Sequence, residues 1–255
     1  MIELAINAAR AAGEVLLSHF GKLKRVKHKT SFTDLVTEAD LESEKRIIKE
    51  IIAKFPDHGI LSEESGRNKS ASSSCWIIDP LDGTTNYTHQ VPFFGISIAY
   101  TYDREAILGV VFDPYNELCF NCTKGKGAFL NDTRIGVSTV SSVEEGLLAT
   151  GFPNEVCQNP DHYLRSFREV LCRVQGVRRP GSAALDLAYV ACGRFDAFWE
   201  EGLKPWDTAA GCLIVEEAGG RVTRYDGSHW NPFSPHLIAS NGILHAQMLD
   251  IIVNS

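Results

Sequence analysis

A chain of 255 residues is long enough for one large domain or two tightly joined halves, and 44% hydrophobic residues allow a sizeable core. The net charge is −7 and no tract of Lys and Arg stands out, which argues against direct nucleic-acid binding. An acidic chain can still take an anionic small molecule, provided that metal ions supply the positive charge.

Residues 2–20 predict a helix, with Leu4, Ala8, Ala12, Val15 and Leu16 on one face. The segment begins with an acid and does not have the basic-then-apolar layout of a signal peptide. No apolar run approaches the roughly 20 residues of a membrane span. Residues 24–29 are basic and suit an edge strand or loop. Residues 38–54 predict a second helix, with Leu41, Glu44, Ile48, Ile51 and Phe55 at helical steps and Pro56 as its stop. Residues 59–65 read as a short strand breaking into Glu63 and Glu64, and the Ser-rich stretch 66–74 as a surface loop. A strand then leads to Asp79. Residues 93–102 and 105–114 predict a hairpin around Asp103-Arg104, and 117–125 and 127–132 extend the antiparallel pattern.

The second half alternates strands (146–152, 176–181, 194–200, 220–227, 236–241) with helices (161–174, 182–193, 207–218, 243–253), which suggests an α/β layer. The expected architecture is therefore a layered α-β-α-β-α sandwich in one compact unit. Residues 1–140 would form an N-terminal lobe with a mixed and antiparallel sheet, and 141–255 an α/β lobe. Seven cysteines, an odd number, point to reduced thiols and a cytoplasmic location. The lone CxxC at Cys119–Cys122 lies in a strand-like run and has no second pair at zinc spacing.

The chemistry concentrates in the sequence CWIIDPLDGTTNYTH, Cys75 to His89. An apolar strand delivers Asp79 to a turn stiffened by Pro80, and Asp82 follows close by. Two like charges so near each other need neutralising, and Mg²⁺ prefers such oxygen ligands. Gly83-Thr84-Thr85 reads as the first turn of a helix, whose N–H groups favour an anion. The plainer alternative is a turn in which Asp82 caps the helix and Asp79 is solvated. Glu63 and Asp207 stand at two further element ends, so three separate places offer carboxylates.

With DLVTEAD (34–40), LSEES (61–65), WIIDPLDGTTNYTH (76–89), GVVFDPYNELCFNCTKGKGAFLN (109–131) and PWDTAAGCLIVEEAGG (205–220), the chain resembles the inositol monophosphatase family. These are Mg²⁺-dependent, lithium-sensitive phosphomonoesterases. The resemblance implies that Glu63, Asp79 and the Leu81 carbonyl hold one Mg²⁺ and that Asp79, Asp82 and Asp207 hold a second. Glu63 also faces a third, weaker site. Thr84, with Glu63 and Asp40, would activate the attacking water. Asp82, Gly83, Thr84, Gly181, Ser182, Ala183, Glu200, Asp207 and Lys29 would contact the substrate. Each acid has a plainer reading: Asp40 as a helix cap, Glu200 as a surface carboxylate, and Glu64 as a bystander to Glu63.

The resemblance further implies a homodimer acting on a small-molecule phosphate ester, inositol monophosphate first. The same metal cluster serves fructose-1,6-bisphosphatase, histidinol-phosphate phosphatase and 3′-phosphoadenosine-5′-phosphate phosphatase. A regulatory role in transcription or ribosome assembly is a further alternative. Three departures from the family pattern are Ser62 in place of Gly, Tyr87 in place of Phe with a hydroxyl near the site, and Asn131-Asp132 in place of an Asn-Gly turn.

Overall fold

The computed structural model describes residues 1–23, 26–28, 35–68, 70 and 72–253. Helix α1 (Ile2–His19) buries the small stripe Ala5, Ala8, Ala9, Ala12 and Leu16. Strands β1 (Val26–His28) and β2 (Leu35–Thr37) pair antiparallel. Helix α2 (Glu38–Lys54) starts with a capping box. The Thr37 hydroxyl accepts from the Ala39 and Asp40 amides, and the Asp40 carboxylate accepts from the Thr37 amide at 2.9 Å. This box turns Asp40 inward, so the buried face continues through Ser43, Glu44, Ile47 and Ile51. Leu41, about 100° further round the helix, is 42% exposed and not part of the apolar face read from sequence.

The next elements are β3 (Gly59–Ser62), β4 (Gly66–Arg67), β5 (Ser74–Asp82), the short helix α3 (Thr84–Thr88), β6 (Gly95–Tyr102), β7 (Glu105–Asp113), β8 (Leu118–Thr123), β9 (Ala128–Leu130) and β10 (Thr133–Arg134). The strands form an eight-stranded sheet in the order β10-β9-β8-β7-β6-β5-β3-β4. Within it β3 and β5 run parallel, while the other neighbours are antiparallel. Strand β4 corrects the expectation that 66–74 is loop throughout: Gly66 and Arg67 pair back onto Ser62 and Leu61. Ladder pairing with a neighbour overrode a polar local composition. Asp103 and Arg104 (φ 48° and 69°) and Asn131 and Asp132 (φ 45° and 67°) turn the hairpins in left-handed geometry without glycine. Cys119 and Cys122 lie buried in β8, where three residues of strand place them on opposite faces.

Residues 147–253 add β11 (Leu147–Thr150), α4 (Pro160–Leu171), β12 (Gly176–Arg178), α5 (Ala183–Ala191), β13 (Ala197–Glu201), α6 (Pro205–Glu217), β14 (Arg221–Thr223), β15 (His236–Ser240) and α7 (His245–Val253). Their sheet runs β12-β11-β13-β15-β14. Helices α1 and α2 cover one face of the large sheet, where Leu16, Ile47, Trp76, Tyr87 and Ile98 share a core. Helices α5 and α6 fill the space between the two sheets and build the central core with Ile77, Val111, Phe120, Phe198 and Leu237. On the far side, α4 and α7 close a third core around Val170, Trp199 and Met248. The layers are thus α-β-α-β-α. Strand β7 meets α6 closely: a Cβ on Gly109 would lie 2.8 Å from the Ala210 carbonyl oxygen.

Candidate active site

Two parallel strands and two helix starts meet at the interlayer cleft. Because β3 and β5 run parallel, their C-terminal ends face the same way. Glu63 follows β3, and Asp79 to Asp82 finish β5. The pairing of β5 with β6 shifts register between Asp79 and Asp82, so the chain bulges at Pro80-Leu81. The Leu81 amide donates to Asp79 Oδ1 at 3.0 Å, and Ser43 Oγ on α2 donates to the Pro80 carbonyl at 2.8 Å. The Glu63 turn is also tethered to α2, since the Ser65 amide and hydroxyl both donate to Glu44 Oε1.

Asp82 does not cap α3. Gly83 is the N-cap, at φ 92°, with no side-chain cap bond. Only glycine suits that φ, and a Cβ there would come within 3.1 Å of the Phe93 carbonyl oxygen and 3.2 Å of that of Gly181. The Asp82 carboxylate instead crosses to α5, where Oδ2 accepts from Ser182 Oγ at 2.6 Å and from the Ala184 amide at 2.7 Å. Asn86 adds a second tie between these elements, its Nδ2 donating to the Phe93 and Pro180 carbonyls at 2.7 and 2.8 Å. Asp207 lies in the first turn of α6 and accepts from the Lys204 amide at 2.7 Å. Ser97 on β6, opposite Asp79 in the ladder, donates to the Trp206 carbonyl at 2.9 Å and holds α6 against the sheet.

The acids act on one another through their charges. Burial first, and then Glu63, Asp82 and Asp207, push the Asp79 carboxyl well above the carboxylate range. Burial and the Asp82 charge do the same to Asp207. Burial raises Asp82 to about 6 against the opposing Ser182 and Ala184 hydrogen bonds. Asp40 also rises to about 6, chiefly by burial, although the Thr37 hydroxyl and amide bind it. Next to it, Thr84 Oγ1 lies 3.3 Å from Asp40 Oδ1 and 3.1 Å from the Leu81 carbonyl, so its one proton has two acceptors within reach. Asp40 is therefore both the carboxylate of the α2 capping box and the partner of Thr84.

Glu63, Asp82, Gly181, Ser182, Ala183, Glu200 and Asp207 line one cleft of about 490 Å³. Asp79, Leu81 and Asp40 lie buried behind its wall. Glu200, next to last in β13, lines the cleft, where burial lifts its carboxyl to about 8 against the pull of Arg179, so the surface-carboxylate reading does not hold. Lys29 falls outside the described residues.

A sequence model of the inositol monophosphatase family matches residues 1–255. The chain belongs to that family. An inositol-1-monophosphatase from Synechocystis is 42% identical over 97% of this chain and 86% of its own length. The fructose-1,6-bisphosphatase/inositol-1-monophosphatase of Thermotoga maritima is 40% identical over 98% and 95%, and a Nus factor SuhB from Pseudomonas aeruginosa is 43% identical over 94% and 91%. The solved inositol monophosphatase of Anabaena superposes with a TM-score of 0.91 at 40% identity, covering 99% of this chain and 95% of that one.

As an inositol monophosphatase family phosphatase, the chain offers a donor set that fits Mg²⁺. The acids supply oxygen alone, the hard ligand that this cation takes. They are buried and repel one another, which is the electrostatic condition that a cation relieves. Among the described residues no three His, Cys, Asp or Glu side chains, as they are placed, make a group that could hold a metal ion; Glu63, Asp82 and Asp207 line the cleft, and Asp79 is buried. No described helix is long and apolar enough to cross a membrane.

Two of the departures from the family pattern have clear outcomes. Ser62 is buried in extended β3, outside left-handed geometry, so serine costs the backbone nothing there. Tyr87 corrects the expectation of an added hydroxyl near the site. Its OH donates to the Leu16 carbonyl at 2.5 Å, beneath α1 and against Phe20 and Phe94, so it cannot select a substrate. Sequence reasoning missed Asp186 and Arg179, which also line the cleft. The available signal for Asp186 was an acid inside the small-residue run SAALDLAYVA, where every helix face is apolar.

Proposed function

We propose that this chain is a Mg²⁺-dependent, lithium-sensitive phosphomonoesterase that hydrolyses inositol monophosphate to inositol and phosphate, working as a homodimer. The observation that carries the reading is the meeting of Glu63, Asp79, Asp82 and Asp207 beside the Thr84–Asp40 contact. The four carboxylates, with the Leu81 carbonyl, would hold the cations. Bound there, Mg²⁺ supplies positive charge toward the phosphate and acidity to water.

The chain's own groups do the rest. Thr84 Oγ1 orients the attacking water and takes its proton while passing its own to Asp40 Oδ1, with Glu63 as a second acceptor. Burial that raises Asp40 to about 6 brings it closer to the basicity this role needs at neutral pH. Gly83 and Thr84 present the backbone to the phosphate. Ser182, held by Asp82, fixes the start of α5, so that Gly181, Ser182 and Ala183 meet the alcohol end together with Glu200. Water is the nucleophile, so no side-chain ester forms and the buried cysteines have no part in it.

The deciding assay is a panel of inositol 1-phosphate, fructose bisphosphate and histidinol phosphate with Mg²⁺, with and without lithium. Inositol 1-phosphate turned over fastest, and blocked by lithium, supports the reading. No phosphate release from any ester overturns it. A second reading, regulation of transcription complexes, is favoured by the relatives named Nus factor SuhB. Capture of transcription proteins that survives Asp79→Asn would support it.

A further inference from the structure

Asp186 occupies the first turn of α5, where Ala183, Ala184, Leu185, Leu187 and Ala188 are all buried. It is 1% exposed and borders the cleft. No protein group among the described residues donates to its Oδ1. A buried carboxylate oxygen without a donor is costly to keep, and a well-packed leucine or alanine would serve the helix better. Groups of this kind persist where a ligand completes them.

The groups facing Asp186 define that ligand. Glu200 and Asp82 lie near enough to push its carboxyl up, and Arg179 near enough to pull it down. Glu200 feels the same Arg179 and Asp82. Glu200 and Arg179 line the cleft with Asp186. This end of the cleft thus offers two carboxylate acceptors and one guanidinium donor. A polyol suits it, because each hydroxyl can donate to a carboxylate and accept from the guanidinium. A bare hydrocarbon ring would leave both carboxyl groups unmatched.

We propose that Asp186 Oδ1 accepts a hydrogen bond from a hydroxyl of the substrate alcohol and makes the cleft selective for polyol monophosphates over esters of hydroxyl-free alcohols. The proposal rests on the phosphatase reading above. Sites built to hydrogen-bond a hydroxyl discriminate strongly against analogues that lack it.

The test compares kcat/KM for inositol 1-phosphate and cyclohexyl phosphate, which have the same ring and differ in hydroxyls. In the wild type the polyol ester is favoured. Asp186→Asn and Asp186→Ser should shrink that preference about tenfold or more, while the melting temperature stays level or rises because an unmatched buried charge is gone. Equal losses on both esters, an unchanged ratio, or a fall in melting temperature with parallel loss of activity would overturn the proposal and leave Asp186 structural. If neither variant folds, a wild-type preference below tenfold overturns it and a larger one supports it. A wild type inactive on both esters refutes the phosphatase reading itself, a distinct outcome.

Discussion

Asp79 is buried among three other carboxylates, so its removal affects stability and catalysis in opposite directions. Asp79→Asn should raise the melting temperature of the metal-free protein, because one buried repulsive charge is gone; each kcal/mol gained is worth about 2–4 °C in a chain of this size. Turnover should fall by more than about 100-fold, beyond what loss of an outer-shell partner causes. Calorimetry and phosphate release measure the two effects, and near-normal rates at saturating Mg²⁺ would remove Asp79 from the metal site. For Thr84 the proposed role is narrower. Thr84→Ala should lower kcat by about 10²-fold, the scale of lost proton transfer, while the Mg²⁺ concentration for half-maximal activity stays put. Asp40 serves two contacts at once: one oxygen closes the capping box by accepting from the Thr37 amide, and the other lies 3.3 Å from Thr84 Oγ1.

Elements are held by a few polar pins. Gly83 lets β5 turn into α3 at φ 92° while the Phe93 and Gly181 carbonyls crowd it. Gly83→Ala should destabilise by about 1–3 kcal/mol and cut activity further than stability, which denaturant titration and kinetics together would show. His245 begins α7 with both ring nitrogens engaged, Nε2 with Thr223 Oγ1 at 2.8 Å and Nδ1 with Ser240 Oγ at 2.9 Å. Burial lowers its pKa to about 4. The unfolded chain then binds a proton that the folded one refuses, so this residue's contribution is present above about pH 6.5 and is lost as pH falls from there toward 4. Replacing His245 with Gln should flatten stability across that window in pH-dependent melting. The element pattern itself was legible: the hairpin at Asp103-Arg104 and helix 38–54 follow from turn chemistry and periodicity. Strand β4 was not, because two polar residues become a strand only when β3 offers them a ladder.

The whole molecule is a stack whose central layer, α5 and α6, touches both sheets and carries Ser182 and Asp207 to the acids of the large sheet. Any shift of α6 therefore misplaces Asp207. Gly109→Val, which drives a side chain into Ala210, should lower both melting temperature and Mg²⁺ affinity, as melts with and without the cation would show. Mg²⁺ itself should stabilise the folded chain by about 2.7 kcal/mol at a hundredfold excess over its Kd, and less in Asp207→Asn. Read in sequence order, the chain already determines the layered α/β class, the strands that lead to Glu63 and Asp79, the glycine at 83 and the identity of the acids. Those follow from local chemistry: alternation, turn residues, and carboxylates placed where strands stop. Only the tertiary structure decided that Asp82 is tied to α5 instead of capping α3, that the Tyr87 hydroxyl faces away toward Leu16, and that Asp186 joins Glu200 and Arg179 at the cleft. Each depends on which distant segment packs opposite, and burial and partner come from that contact, which spacing along the chain does not encode.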